Sequence, residues 1–239
     1  MNGFVQKGAL LEFMPTFLPV PVPNVIVFQY NPETMTHSWT QPEPATTAGT
    51  EAGNPLAVKG MPGEAFSFTI AMDARNEIAD GSAPEAALAE SSGLYSRLAA
   101  LEMLLYPTAT GQPGLTGTVS AAIVSALTGA SSGPVRTIPQ SVLPVTLFIW
   151  GAGRIVPVRV TDLTIAERLY DSALNPIHAE AQLTLRVLTP AELVAASADN
   201  DVLGNLATIA YDYTLTLRQA LAAANLANAT ESVIGMIPH

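Results

Sequence analysis

Cysteine is missing from all 239 residues, which excludes disulfides, thiolate metal sites and a cysteine nucleophile. Lysine is nearly missing too, with Lys7 and Lys59 the only two. Charged residues of all kinds make up 13% of the chain, against about 25% in a typical globular protein. The 20 acidic and 10 basic residues leave a net charge of −10. A chain this acidic, with no basic run, is a poor partner for nucleic acid, since phosphate neutralisation needs clustered Lys and Arg. It also lacks the polybasic segment that attaches proteins to anionic lipid. No run approaches the roughly 20 unbroken apolar residues of a membrane helix, and residues 1–8 lack a signal-peptide pattern. A cytoplasmic protein without membrane insertion is the expectation.

What is present is apolar bulk, 49% of the residues. So much apolar material with so little charge predicts a sizeable core and some surface that meets other subunits. Strands are expected at residues 4–13, 25–30, 35–41, 65–71, 142–150, 154–168 and 178–188, with alternation at period two in 65–71, most of 154–168 and 178–188. Residues 25–30 (VIVFQY) read as a buried strand, and Asn31-Pro32 as a turn that makes a hairpin with residues 35–41. In residues 154–168 the expected core positions are Ile155, Val158, Val160, Leu163 and Ile165. Parity slips between Ile155 and Val158, around Pro157, which predicts a bulge or bend there.

Helical spacing of Leu94, Leu98, Leu101 and Leu105 predicts a helix over 94–106, capped by Ser91 or Ser92 and stopped by Pro107. Residues 73–92 read as an acidic, alanine-rich connection, and 42–63 and 108–141 as long loops. Thr189-Pro190-Ala191-Glu192 carries a capping-box signature for a short helix. Residues 205–230 are Ala/Leu-rich, with Leu203, Leu206, Ile209, Tyr213, Leu217 and Leu221 forming a stripe expected to face the core. The sum is a mainly β, α+β fold: a barrel or sandwich over residues 1–190, one packed helix, long loops, and a helical extension over 191–239.

No constellation in the sequence carries catalysis. His37, His178 and His239 have no metal-ligand spacing. The glycines of 111–117 and 151–153 do not match phosphate loops and read as turns. No catalytic residue, cofactor site or metal site is expected. Two stretches are candidate contact surfaces. In one, Phe13, Met14, Phe17, Leu18 and Val20 alternate with prolines, which suits either a strap over the protein's own core or a subunit interface. The other is the C-terminal stripe.

The order of segments resembles a known family. Phe28, Gln29, Tyr30, Asn31 and Pro32 end a strand in a pattern similar to the opening of tube-adaptor proteins, often annotated by a LysM domain, from contractile injection systems and related phage tails. Residues 66–73 (FSFTIAMD), with Phe66 and Phe68, resemble that family's aromatic strand. Residues 94–107, closing on Tyr106 and Pro107, resemble its helix. Residues 145–151 (VTLFIWG), ending on Trp150 and Gly151, resemble its Trp-Gly strand, and residues 156–169 and 179–188 its last two strands. The resemblance covers residues 4–190. It implies a tail-tube-like β-barrel, a homo-hexameric ring, contacts with tube, spike and baseplate proteins, and no catalysis. Residues 191–239 lack the strand-helix-helix-strand pattern of LysM, so peptidoglycan binding does not carry over. Two other readings stand beside it: a cap or terminator subunit of the same machine, and a soluble β-barrel that closes over an apolar ligand.

Overall fold

The computed structural model describes residues 6–14, 22–42, 57–58, 60–80, 83–106, 145–196 and 201–234. The strands are β1 (Ala9–Met14), β2 (Val22–Val27), β3 (Met35–Thr40), β4 (Gly63–Asp73), β5 (Thr146–Ile149), β6 (Ile155–Tyr170) and β7 (Pro176–Val187). They form one seven-stranded sheet in the order β2-β1-β5-β6-β7-β4-β3, and every neighbouring pair is antiparallel. Among the described residues five helices accompany it: α1 (Ala74–Asp80), α2 (Ala83–Ser92), α3 (Tyr95–Met103), α4 (Pro190–Ala196) and α5 (Asp201–Ile234). The mainly β, α+β expectation is met, and the strand count agrees with the expected one.

The expected hairpin between residues 25–30 and 35–41 does not form. β2 and β3 lie at opposite ends of the sheet order, joined by residues 28–34. β2 is therefore an end strand, with Val25 and Val27 exposed and Ile26 and the following Phe28 turned into the core. Its composition suits burial, but an end strand buries one face only.

The two ends are brought near each other because the sheet curls. Phe148 on β5 and Phe68 on β4 are separated by two intervening strands, which in a flat sheet would hold them about 14 Å apart. Their ring centroids lie 5.4 Å apart, and Phe28 meets both, at 5.5 Å from Phe68 and 6.5 Å from Phe148. The aromatic side chains converge on the concave face, and the curl wraps the core. β2 and β3 are not hydrogen-bonded to each other, so the ladder of the described residues stays open.

Alternation places Phe66, Phe68, Ile70 and Met72 of β4, and Ala179, Ala181, Leu183, Leu185 and Val187 of β7, in this core. Leu94, Leu98, Leu101 and Leu104 of the α3 region close it from the side. In β6 the core positions are Val156, Val158 and Val160, then Leu163 and Ile165 part-buried. The register slips between Val160 and Asp162, not near Pro157. Ile155 misled the parity because it belongs to the other face, where it packs with Leu147, Leu193, Ala207 and Ala210 under α4 and α5. A strand covered on both sides has apolar residues of both parities.

Three helical expectations are corrected. Residues 73–92 hold two helices, α1 and α2, instead of a plain connection. Ser91 and Ser92 finish α2, their hydroxyls donating back to Leu88 O, while Leu94 takes the N-cap position of α3 without a side-chain cap. Gly93, at φ +57°, makes the sharp joint between the helices. The capping box at α4 forms as read: Thr189 N and Oγ1 both donate to Glu192 Oε2 at 2.9 Å, and Glu192 N returns a bond to Thr189 Oγ1. The third correction concerns α5. Gly204, Ala207, Ala210 and Thr214 face the sheet, while Leu206, Ile209, Tyr213 and Leu221 of the stripe are exposed. Small side chains let the helix axis approach closely, and that decides which face docks.

Candidate functional site: a joint and a clamp at the ends of the sheet

The residues of the Gln-Tyr-Asn-Pro motif build the joint between the two end strands. Phe28 is buried among the core aromatics. Gln29 behaves as a short stretch of strand: its amide nitrogen donates to Asp73 O at 2.8 Å, and its carbonyl accepts Asp73 N at 2.7 Å. That satisfies the end of β4 beyond the reach of β3, whose pairing stops at Phe68. Asn31 does the same for the approach to β1, accepting Gly8 N at 2.9 Å and donating to Gln6 O at 2.8 Å. Tyr30 is exposed and its hydroxyl accepts from Asn76 on α1. Tyr30, Asn31 and Pro32 also line one side of an open cleft of about 590 Å³, with Thr69, Ala71 and Glu180 on the sheet opposite.

Trp150 is stacked on Phe148 at 6.1 Å and packs over Gly8, where an added Cβ would sit 2.7 Å from the indole. Gly151, at φ +68°, turns the chain from β5 into β6, with Trp150 N bonded to Arg154 O across the turn. Tyr106 is exposed just past α3. Pro107 lies outside the described residues, as do Phe17, Leu18 and Val20. Phe13 and Met14 are the last residues of β1, paired with Pro23 and Val22. The structure thus brings the motif residues 28–31 and 150–151 to the β1 entry and the core, and leaves Tyr106 apart.

A second cluster was not visible in the sequence. Glu64, at the start of β4, is buried. Arg218 of α5 grips its carboxylate with both guanidinium arms, at 2.8 and 2.5 Å. His37 on β3 adds a bond from Nε2 to Glu64 Oε1 at 2.7 Å. Because the carboxylate can only accept there, Nε2 carries the proton. Burial holds the His37 pKa below its ordinary value, against the pull of Glu64. Burial pushes Glu64 up, but the bonds from Arg218 and His37 outweigh it and hold the carboxyl below the usual range. The His37 ring lies between Trp39, at 3.7 Å, and Phe66, at 4.1 Å, and Arg154 covers Phe66 at 5.1 Å. Both Glu64 oxygens are occupied by donors, so the cluster clamps β3, β4 and α5 together. Next to it, Thr214 Oγ1 accepts Ile155 N and donates to Ile155 O, and Tyr213 Oη donates to Ala152 O. Across the sheet, the second internal histidine, His178, stands 3.8 Å from Asp73.

Among the described residues no group of three or more His, Cys, Asp or Glu side chains is placed to hold a metal ion. No helix among them is long and apolar enough to cross a membrane. A scan against protein-family models finds no family that matches this chain, and a search of curated proteins finds no match.

The end strands carry exposed apolar side chains. On β2, Val25 is 51% and Val27 44% exposed, although Arg97 donates to Val27 O and blunts that end of the edge. On β3, Trp39 is 55% exposed. The backbone N–H and C=O groups along an end strand form a template for pairing with another chain, and apolar side chains beside them add burial to such a contact.

Proposed function

We propose that the chain is a structural ring subunit of a contractile, phage-tail-like injection machine, joining its inner tube to the spike and baseplate. The observation that carries the proposal is the pair of end strands, which present Val25 and Val27 on one side of the open ladder and Trp39 on the other. Two different edges on one subunit allow head-to-tail contacts, and such contacts close into a ring when the rotation permits. The motif residues support the same reading, because Gln29, Asn31 and Phe28 are committed to fixing how far apart the two edges stand. The reading assigns them a geometric role and no chemistry.

Light scattering on the purified chain, alone and with tube and spike proteins, tests the proposal. A ring-sized species is expected, and replacing both Val25 and Val27 with Lys should disperse it while leaving the fold intact. A monodisperse monomer at micromolar concentration, unchanged by either partner, would refute the ring.

A further inference from the structure

The solvent-facing side of α5 has a periodic seam. Leu206, Ile209, Tyr213, Thr216, Ala220 and Ala223 recur at alternating steps of three and four, and every one of them is exposed. This is the heptad spacing of a helix that packs against another helix. The seam carries no Asp, Glu, Lys, Arg or His, in a chain whose net charge is −10. It also runs past the body, since the side chains of residues 219–225 are all exposed while the helix continues to Ile234. Ile209 is 64% and Leu221 63% exposed.

The seam tapers. Its large residues, Leu206, Ile209 and Tyr213, occupy one half, and its small ones, Thr216, Ala220 and Ala223, the other. A parallel copy would set large on large and small on small, splaying one end and leaving the other loose. An antiparallel copy, turned about an axis between residues 214 and 215, sets Leu206 on Ala223, Ile209 on Ala220 and Tyr213 on Thr216. Each layer then sums to a similar volume. The flanking Asp212 falls beside Gln219 of the second copy instead of beside another carboxylate.

From this taper we infer that α5 is a pairing surface for a second copy of the chain, joined antiparallel and two-fold along the 206–223 seam. The contact goes beyond the ring reading, because it uses neither sheet edge and links copies in pairs.

The absence of cysteine makes the test clean. In the full chain carrying both Leu206→Cys and Ala223→Cys, oxidation should give a covalent dimer, since facing layers bring Cα atoms within about 7 Å. Within one helix the two sites stand about 26 Å apart and cannot bond to each other. Each single variant should stay uncrosslinked, because its copies of the site are also about 26 Å apart across the pair. Cross-linking of Leu206→Cys alone would mean parallel pairing and overturn the inference, as would failure of the double variant to cross-link. Ile209→Asp should abolish the pair in light scattering without changing the melting temperature of the single chain. An unchanged mass would overturn the inference equally. A ring that persists without the cross-link removes the helix pair alone, and a monomer throughout removes both.

Discussion

Replacing Arg218 with Met should loosen the whole C-terminal helix from the sheet. The methionine keeps most of the apolar stem but removes both donors from Glu64, whose carboxylate is buried and would be left with His37 alone. Removing one partner of a buried ion pair costs about 3–5 kcal/mol, because the remaining charge is stranded in a poor solvent. The Arg218 side chain is 34% exposed, so water already screens part of the pair, and the expected loss falls to about 2–3 kcal/mol. For a chain of this size that is a fall of about 4–12 °C in melting temperature, at about 2–4 °C per kcal/mol. Calorimetry and urea denaturation measure it. The variant carrying both Glu64→Gln and Arg218→Met should be more stable than Arg218→Met alone, since no charge is then stranded. An Arg218→Met variant within about 0.5 kcal/mol of wild type, the size of an ordinary surface change, would refute the clamp.

Gly93→Ala should destabilise by about 2 kcal/mol or more, since φ is +57° and the new Cβ would meet Pro176 O at 2.5 Å, a backbone atom that cannot swing away. Thermal melting reads it, and an unchanged midpoint would show that the α2–α3 joint is softer than described. Asn31→Ala removes the side-chain partners of Gly8 N and Gln6 O, at about 1 kcal/mol or a little over, and should speed amide exchange at Gly8. Unaltered exchange there would count against the joint. Acid should weaken the fold in two stages. The folded pKa of His37 lies below its ordinary 6.5, so the unfolded chain binds more protons and stability falls as the pH drops below that value. Glu64, held below its ordinary 4.5, contributes stability above that value that is lost as the pH falls further through the folded pKa. His37→Gln keeps a donor to Glu64 and should remove the first stage only. Urea titrations between pH 8 and 5 decide it, and an unaltered slope in the variant would exclude His37 as its source.

Local patterns in the sequence determined the parts of this protein. The clean alternation of residues 179–187 fixed which face of β7 is buried, because side chains on a strand must alternate. The four-residue capping box fixed the start of α4, and the leucine spacing after Leu94 fixed the inner face of α3. These signals are short-range, and their physical causes lie within a few residues.

Only the tertiary structure decided which strands meet. The short connector after Val27 looks like a hairpin turn, yet the curl of the sheet lets it bridge opposite ends. Glu64 shares the inward parity of Phe66 and Phe68, a charge on a core-facing position, but its partners lie 27 and 154 residues away. No spacing rule reaches that far. The α5 stripe was misread for the same reason: hydrophobicity marks the larger side chains, whereas the helix docks on the face where Gly204, Ala207 and Ala210 allow a close approach. That choice leaves Leu206, Ile209 and Tyr213 exposed on the other side of the helix.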